Sequence, residues 1–319
     1  MSNVKNDAAK TREVEEMIRR ARHPAERALS IISGILTVGI FAFLLWLVIY
    51  VIRKPADESV VVSFLASFLA IEESSAGDLL KMGAWAVLAV FLWILIKYVA
   101  ALMNEKGRAE DEDFTIEEIK PEKVKKVAEQ YAEILGMEEM PEVFFSEKSK
   151  GIDIEGIQVY GEDYVVIPMY NMYNVPYDER MVDVRFKLAT KLGNIRMGYN
   201  GLLFQILTFA GRILPVFKGL YIKSLVYGSD RMALEILKRD PEVQVTGEEI
   251  ALSLFIGESI YKSTTLKVVD VDKTLRDRRE RFHSEGRLSQ AMSRLGEDKP
   301  LLMDRIEAME DLSKPGKLI

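Results

Sequence analysis

The 319-residue chain contains no cysteine, which excludes disulfide frameworks, thiolate-bound zinc, iron–sulfur clusters and thiol nucleophiles. Histidine is nearly as scarce: His23 and His283 are the only two. No His-x-x-x-His pair exists, so a His-rich zinc site has no ligands to draw on. An excess of positive charge is missing too, since 43 Lys and Arg face 49 Asp and Glu for a formal net charge of -6. With both signs mixed along the chain there is no basic field of the kind nucleic acid requires, and none is expected as a partner.

Apolar sequence, by contrast, is plentiful. Ser30–Ile52 carries no charge over 23 residues and places Trp46 and Tyr50 near its end. At 1.5 Å per residue such a helix crosses about 30 Å of hydrocarbon. A second run, Met82–Ile96, continues to Met103 with Lys97 as its one charge, near an end where the stem can reach the headgroups. Together they predict a two-helix transmembrane anchor, with the lipid bilayer as the first partner. The polar sequence before the first run lacks a small-residue cleavage site and does not read as a removable signal.

Orientation follows from the basic residues. Lys5, Lys10, Arg12, Arg19, Arg20, Arg22 and Arg27 precede the first run, whereas between the runs Arg53, Lys54 and Lys81 are set against Asp57, Glu58, Glu72, Glu73 and Asp78. The expectation is an integral protein of the cytoplasmic membrane with both termini and the large domain in the cytoplasm. Val60–Ile71, at 12 apolar residues, is too short to cross and is expected at the outer interface or against the two helices. Ser63/Ser67 and Ala66/Ala70 in it have small-xxx-small spacing, compatible with an oligomer contact.

The chain accordingly divides into a basic segment 1–29, a transmembrane hairpin 30–103 with an external loop 53–81, a charged linker 104–114 and a domain 115–319. In that domain, Val124, Val127, Ala128, Tyr131 and Ile134 mark an amphipathic helix over Pro121–Met137. Glu142–Ser146, Ile152–Tyr160 and Tyr164–Met169, punctuated by glycine, read as a small antiparallel meander. From Asp178 the pattern is helical almost to the end. Asn200–Ile222 is apolar but holds Arg212, Pro215 and Lys218. A spanning segment would bury Arg212 at a cost of about 2.5–3.5 kcal/mol, so a buried or membrane-surface helical pair is expected, with a re-entrant or spanning hairpin as the alternative.

Leu188–Asn200 reads LATKLGNIRMGYN. It resembles the active-site helix of the HtpX and CaaX-prenyl-protease family of membrane zinc metallopeptidases, whose pattern is near L-A-H-E-L-G-H-I-x-x-G-H. Val226–Leu237 (VYGSDRMALEIL) is similar to that family's E-x-E-A-D-R-x-A-x-x-L element, and Asp298–Met309 (DKPLLMDRIEAM) to its closing H-P-x-x-x-x-R-I-x-x-L. The resemblance covers about residues 120–313 and implies an α+β, predominantly helical, zincin-like metallopeptidase domain with a small antiparallel sheet. In the family two histidines one turn apart and a glutamate from the later helix hold zinc, and a second glutamate polarises the attacking water. Here Thr190 and Asn194 take the histidine positions, Lys191 the base position and Val226 the third-ligand position. The Asp that orients a ligand histidine is kept as Asp230, followed by Arg231, and Arg305 is kept in the closing element.

Thr and Asn oxygens are weak neutral donors, valine offers nothing and lysine is a poor ligand while protonated, so no metal and no cofactor are expected. Lys191 could place a cation where zinc would sit and pair with Asp230; the plain alternative is a surface lysine. Glu235, Glu248 and Glu249 read as solvated charges. Ser229-Asp230 and His283-Ser284 lack a Gly-x-Ser-x-Gly elbow. His23, in a basic juxtamembrane stretch, is expected near headgroups. Leu275–Phe282 (LRDRRERF) reads as a solvated face with i,i+4 ion pairs, or as a dock for an acidic partner.

The expectation is therefore a catalytically inactive, membrane-anchored homologue acting as a protein-binding scaffold or regulatory subunit of a membrane complex or homo-oligomer. Alternatives are an active metalloendopeptidase with a non-standard metal site and an unrelated membrane anchor. In active members of the resembled class, substrate lies extended along a sheet edge, which here implies Ile154, Ile157, Val159 and Tyr160 as the peptide-binding edge.

Overall fold

A computed structural model describes residues 2–53, scattered positions between 78 and 100, then 121–146, 155–159, 162–168, 177–242 and 271–319 except 312. Two compact units divide the chain: Met1–Gly34 with Lys106–Ile319, and Ile35–Glu105. The described residues are mostly helical.

The first unit is built on two antiparallel helices, α4 (Tyr177–Arg196) and α7 (Pro215–Leu237). Leu188, Leu192 and Ile195 of α4 and Met232, Ala233 and Ile236 of α7 are buried in one apolar cluster. Their closest approach is at Gly193, where a Cβ would meet Met232 Cγ at 2.7 Å. Just past the end of α4, Gly198 with φ 78° takes the left-handed turn, while the Tyr199 N–H reaches back to the Asn194 carbonyl at 3.0 Å. α3 (Pro121–Ile134) covers α4 with the stripe read from its sequence: Val124, Val127, Ala128 and Tyr131 are buried.

The segment 1–29, expected as a separate basic stretch, belongs to this unit instead. α1 (Ser2–Ala21) lies against α7 and buries Val14, Met17 and Ala21, a narrow stripe at three- and four-residue spacing. Among its charges, Arg19 and Arg20 meet Glu16 on an exposed face, and Glu13 pairs with Arg239 just past the end of α7.

The sheet is mixed rather than an antiparallel meander, in the order β1-β3-β2. β3 (Glu162–Pro168) is central, pairing in parallel with β1 (Glu142–Ser146) and antiparallel with β2 (Glu155–Val159). Tyr164–Ile167 is the most continuously apolar of the three sequences, which suits the strand covered on both edges, while Glu155-Gly-Ile-Gln-Val takes an edge. α4 lies beside β2 and β3.

Two short helices, α5 (Leu202–Leu207) and α6 (Phe209–Ile213), join α4 to α7. At the C-terminal end, α8 (Val271–Ser284) and α10 (Leu302–Glu310) pack through Leu275, Phe282, Met303 and Ile306, and α9 (Arg287–Gly296) joins them where Gln290 Nε2 donates to the Phe282 carbonyl at 2.6 Å and Arg294 to Asp304. Of the cations in the 275–282 run, Arg279 pairs across to α10, its Nη2 2.6 Å from Glu310.

α2 (Glu26–Arg53) begins in the first unit and continues into the second. Over Glu26–Trp46 it is long and apolar enough to cross a membrane. In the second unit, the described positions of Lys81–Trp93 form a shorter apolar helix, and Phe41 meets Phe91 edge-to-face at 5.6 Å. Val60–Ile71, with Ser63, Ala66, Ser67 and Ala70, and the linker 104–114 lie outside the described residues.

Candidate functional site

The positions that the resemblance assigns to zinc fall on the α4–α7 crossing. Thr190 and Asn194 are one turn apart on α4, Val226 precedes Asp230 by one turn on α7, and all three are half-buried. Each polar side chain is occupied locally. Thr190 Oγ1 donates to the Phe186 carbonyl at 2.8 Å, and Asn194 Oδ1 lies 2.5 Å from Ser229 Oγ, which is also 2.8 Å from the Leu225 carbonyl. Lys191 is half-buried on α4. Among the described residues no group of three or more His, Asp or Glu side chains converges.

Asp230 and Arg305 are brought together as a bidentate pair: Arg305 Nε and Nη2 donate to the two carboxylate oxygens at 2.8 Å each. Asp230 is 2% exposed, so both of its oxygens are committed to this guanidinium, and the pairing expected with Lys191 is replaced by Arg305. The fork fits because α10 lies across α7 and carries Arg305 one turn into the helix. Arg231, next to Asp230, points elsewhere and donates to the Lys314 carbonyl.

That contact belongs to a set that sequence reasoning missed. The segment after α10 runs over α7, and its main-chain carbonyls are received one after another by buried donors. Arg231 takes Lys314, His23 Nε2 approaches Gly316 at 3.5 Å, Tyr227 Oη donates to Lys317 at 3.0 Å, and Lys223 Nζ reaches Leu318 at 3.3 Å. Lys223 is 1% exposed and also donates to the Arg294 carbonyl; burial pushes its ammonium below the ordinary value, against the pull of Asp304. Arg294 and Asp304 form a second buried bidentate pair at 2.7 and 2.8 Å.

His23 is thus a core residue of the large unit. It is 5% exposed, stacks on Tyr227 with centroids 5.8 Å apart, and accepts the Ala25 N–H at Nδ1. With Nδ1 accepting, the proton sits on Nε2 and is aimed at Gly316. Burial holds the imidazole below its usual value of 6.5; the Gly316 carbonyl opposes this and the nearby Arg231 adds to it. A folded-state pKa below the unfolded one means that the unfolded chain takes up the proton first, so stability falls as pH drops through 6.5 and levels off below the folded value. Thermal unfolding of the wild type is therefore expected to occur at lower temperature at pH 5 than at pH 7.5, and a His23→Gln variant to lose that part of the slope.

Beside His23, Glu26 is 1% exposed and accepts the Tyr199 hydroxyl at 2.5 Å, with Arg22 Nη1 3.5 Å away. Burial, followed by the neighbouring carboxylate, raises the Tyr199 phenol well above its usual value, so it stays a donor. Gly228 leaves room for this pair, since a Cβ there would sit 2.9 Å from Tyr199 Oη. These groups fasten the start of α2 to the α4–α7 core.

Glu235, read as solvated, is tied to Lys238 and Arg239, and His283 Nε2 is 3.3 Å from Glu307. Glu248 and Glu249 lie outside the described residues, as do Ile154 and Tyr160 of the implied peptide edge; Ile157 and Val159 are in β2, which pairs only with β3 among the described strands. The signals for the missed groups were slight: an Arg-His-Pro turn before an apolar run, and a lysine inside an apolar helix. No protein-family model, curated protein or solved structure matches the chain.

Proposed function

We propose that the chain is a catalytically silent member of the HtpX and CaaX-prenyl-protease-like group, held in the membrane by its apolar hairpin with the large unit in the cytoplasm, and serving as a protein-binding scaffold or regulatory subunit. One observation supports this most: the buried Asp230–Arg305 fork survives at the centre of the α4–α7 crossing, while the positions for metal and base carry Thr190, Lys191, Asn194 and Val226. A bidentate buried pair stabilises a scaffold, whereas chemistry at that place requires ligands that these side chains do not supply. Among the described strands β2 lies at an edge beside α4, which fits capture of an extended peptide by main-chain hydrogen bonds that need no metal.

The test is metal content and proteolysis of the purified full chain. Less than one-tenth of a zinc per chain and no cleavage of casein are expected. One zinc per chain, removed by chelator together with a casein-cleaving activity, overturns the reading. In a second arm, Gln158→Pro in β2 is expected to abolish capture of the protein's partners while leaving the fold intact, because proline removes a donor from the strand. Unchanged capture by a folded variant refutes the edge as the binding surface.

A further inference from the structure

The connection between α4 and α7 is apolar and docks on the start of α2. From Gly201 to Leu214 the sequence GLLFQILTFAGRIL holds a single charge. Its two helices dock on the beginning of α2, and the hinge between them is sealed there. Ser33 Oγ donates to the Thr208 carbonyl at 3.0 Å and accepts the Gly211 N–H at 2.7 Å, so one fully buried hydroxyl satisfies both backbone groups at the break. The backbones are nearly in contact: a Cβ on Gly34 would lie 3.9 Å from the Leu207 carbonyl.

Ser33 gives a depth marker. The last charge on α2 before it is Arg27, six residues back, or about 9 Å along the helix axis at 1.5 Å per residue. From Ser30 onward α2 carries no charge until Arg53. The hinge therefore touches α2 inside the segment that is apolar enough to cross a membrane.

At that level the outer faces are uniformly apolar. Leu203 is 71% exposed, Leu207 46% and Ile213 36%, and on α2 Ile31 and Ile32 are 55% and 45% exposed. Phe209 and Ala210 turn inward and are buried. Arg212 is half-buried and its guanidinium turns back toward the protein, with Nη2 3.4 Å from the Tyr199 carbonyl and Nε 3.5 Å from Thr208 Oγ1. Thr208 Oγ1 in turn donates to the Phe204 carbonyl at 2.7 Å. Backbone groups satisfied internally and large aliphatic side chains outside are what hydrocarbon demands and water does not.

We infer that α5 and α6 form a lipid-embedded shoulder, with Leu203, Leu207 and Ile213 lying among the acyl chains of the leaflet that the start of α2 enters, beside Ile31 and Ile32. The shoulder is too short to span the bilayer and lies against α2 within one leaflet. The inference rests on the reading of α2 as a membrane span and adds a second, separate point of insertion to the large unit.

The cysteine-free chain allows a direct measurement. Full-length variants Leu203→Cys, Leu207→Cys, Ile35→Cys and Glu139→Cys, each labelled with an environment-sensitive fluorophore, are reconstituted in phosphatidylcholine vesicles with or without bromine on the acyl chains. Ile35 reports the span, and Glu139, exposed after α3, reports water. Expected are at least twofold bromine quenching at 203 and 207, comparable with that at 35, and none at 139. Quenching at 35 with positions 203 and 207 behaving like 139 overturns the shoulder and leaves the span standing. No quenching at 35 removes the span and the shoulder with it. Both shoulder positions are exposed, and circular dichroism of each labelled protein confirms that it is folded before quenching is read.

Discussion

Replacing Arg185 by leucine is expected to cost the large unit about 3–5 kcal/mol, the usual consequence of leaving a buried charge without its partner. Arg185 is 6% exposed and its Nη1 donates to Asp240, which is 4% exposed; its Nη2 reaches Glu242. Asp240 also accepts the Tyr131 hydroxyl at 2.7 Å, the Gln130 amide at 3.2 Å and the Glu242 N–H at 3.0 Å. One carboxylate thus joins α3, α4 and the end of α7. Desolvation, the largest influence on it, pushes its pKa up, but the bonds from Tyr131, the Glu242 N–H and Arg185 outweigh that and hold it below 3.8.

Because that pKa is depressed, the stabilisation is present above pH 3.8 and disappears as pH falls through the lower folded value. In Arg185→Leu the balance tips to desolvation, the carboxyl takes up a proton more readily, and the deficit against wild type should shrink on acidification. At about 2–4 °C per kcal/mol for a unit of this size, thermal unfolding at pH 7 should shift down by about 10 °C. A shift below 2 °C at pH 7, or a deficit that grows as the pH is lowered, contradicts the account.

Gly316→Val should have the second largest effect, and its readout is local. Gly316 has φ 91°, and a Cβ there would sit 2.7 Å from Cδ1, Cε1 and Cζ of Tyr227. That ring cannot yield: it is 1% exposed, stacked on His23 and bonded to Lys317. Left-handed strain of about 1–3 kcal/mol and a clash with a fixed ring exceed what a short segment can absorb. Detaching the segment relieves both, so the loss of global stability is capped at what Lys314–Leu318 contributes. Cleavage by trypsin after Lys317 is expected to accelerate at least tenfold, the factor that corresponds to about 1.4 kcal/mol in the opening equilibrium. Unchanged cleavage would mean that the carbonyl contacts do not hold the segment.

The elements that could be read from sequence are those whose pattern is local and repeated. Pro121 and five apolar positions at helical spacing define α3, and the uncharged run from Ser30 defines most of α2. The Asp230–Arg305 pair was approachable because both residues sit in ordered fragments of one pattern. What stayed hidden depends on partners far along the chain. Val14, Met17 and Ala21 are too few to mark α1 as a core helix until α7 supplies the surface that covers them. His23 sits among basic residues that suggest water, yet its surroundings are Tyr227 and Gly316. Asp240-Pro241 reads as a helix stop, and nothing nearby reveals that Arg185 and Tyr131 converge on the aspartate. The parallel β1–β3 pairing is likewise a matter of which strand crosses over, which alternation of side chains within one strand does not encode.

The attachment of α1 and the start of α2 to the α4–α7 core also has a consequence for how the chain is made. Ser33 waits for Thr208, Glu26 for Tyr199, and His23 for Gly316, 293 residues later. At about 5–20 residues per second of synthesis, the N-terminal helix emerges roughly 10–40 s before α7 can cover it. Through that interval Val14, Met17 and Ala21 have no native surface to bury them, although the apolar helix α2 that follows has already been made. The segment Ile35–Glu105 is therefore made as an insertion within an unfinished unit, which closes only when residues up to 319 meet α1 and the start of α2. A chain stopped before Lys314 would lack the carbonyls that Arg231, His23 and Tyr227 receive.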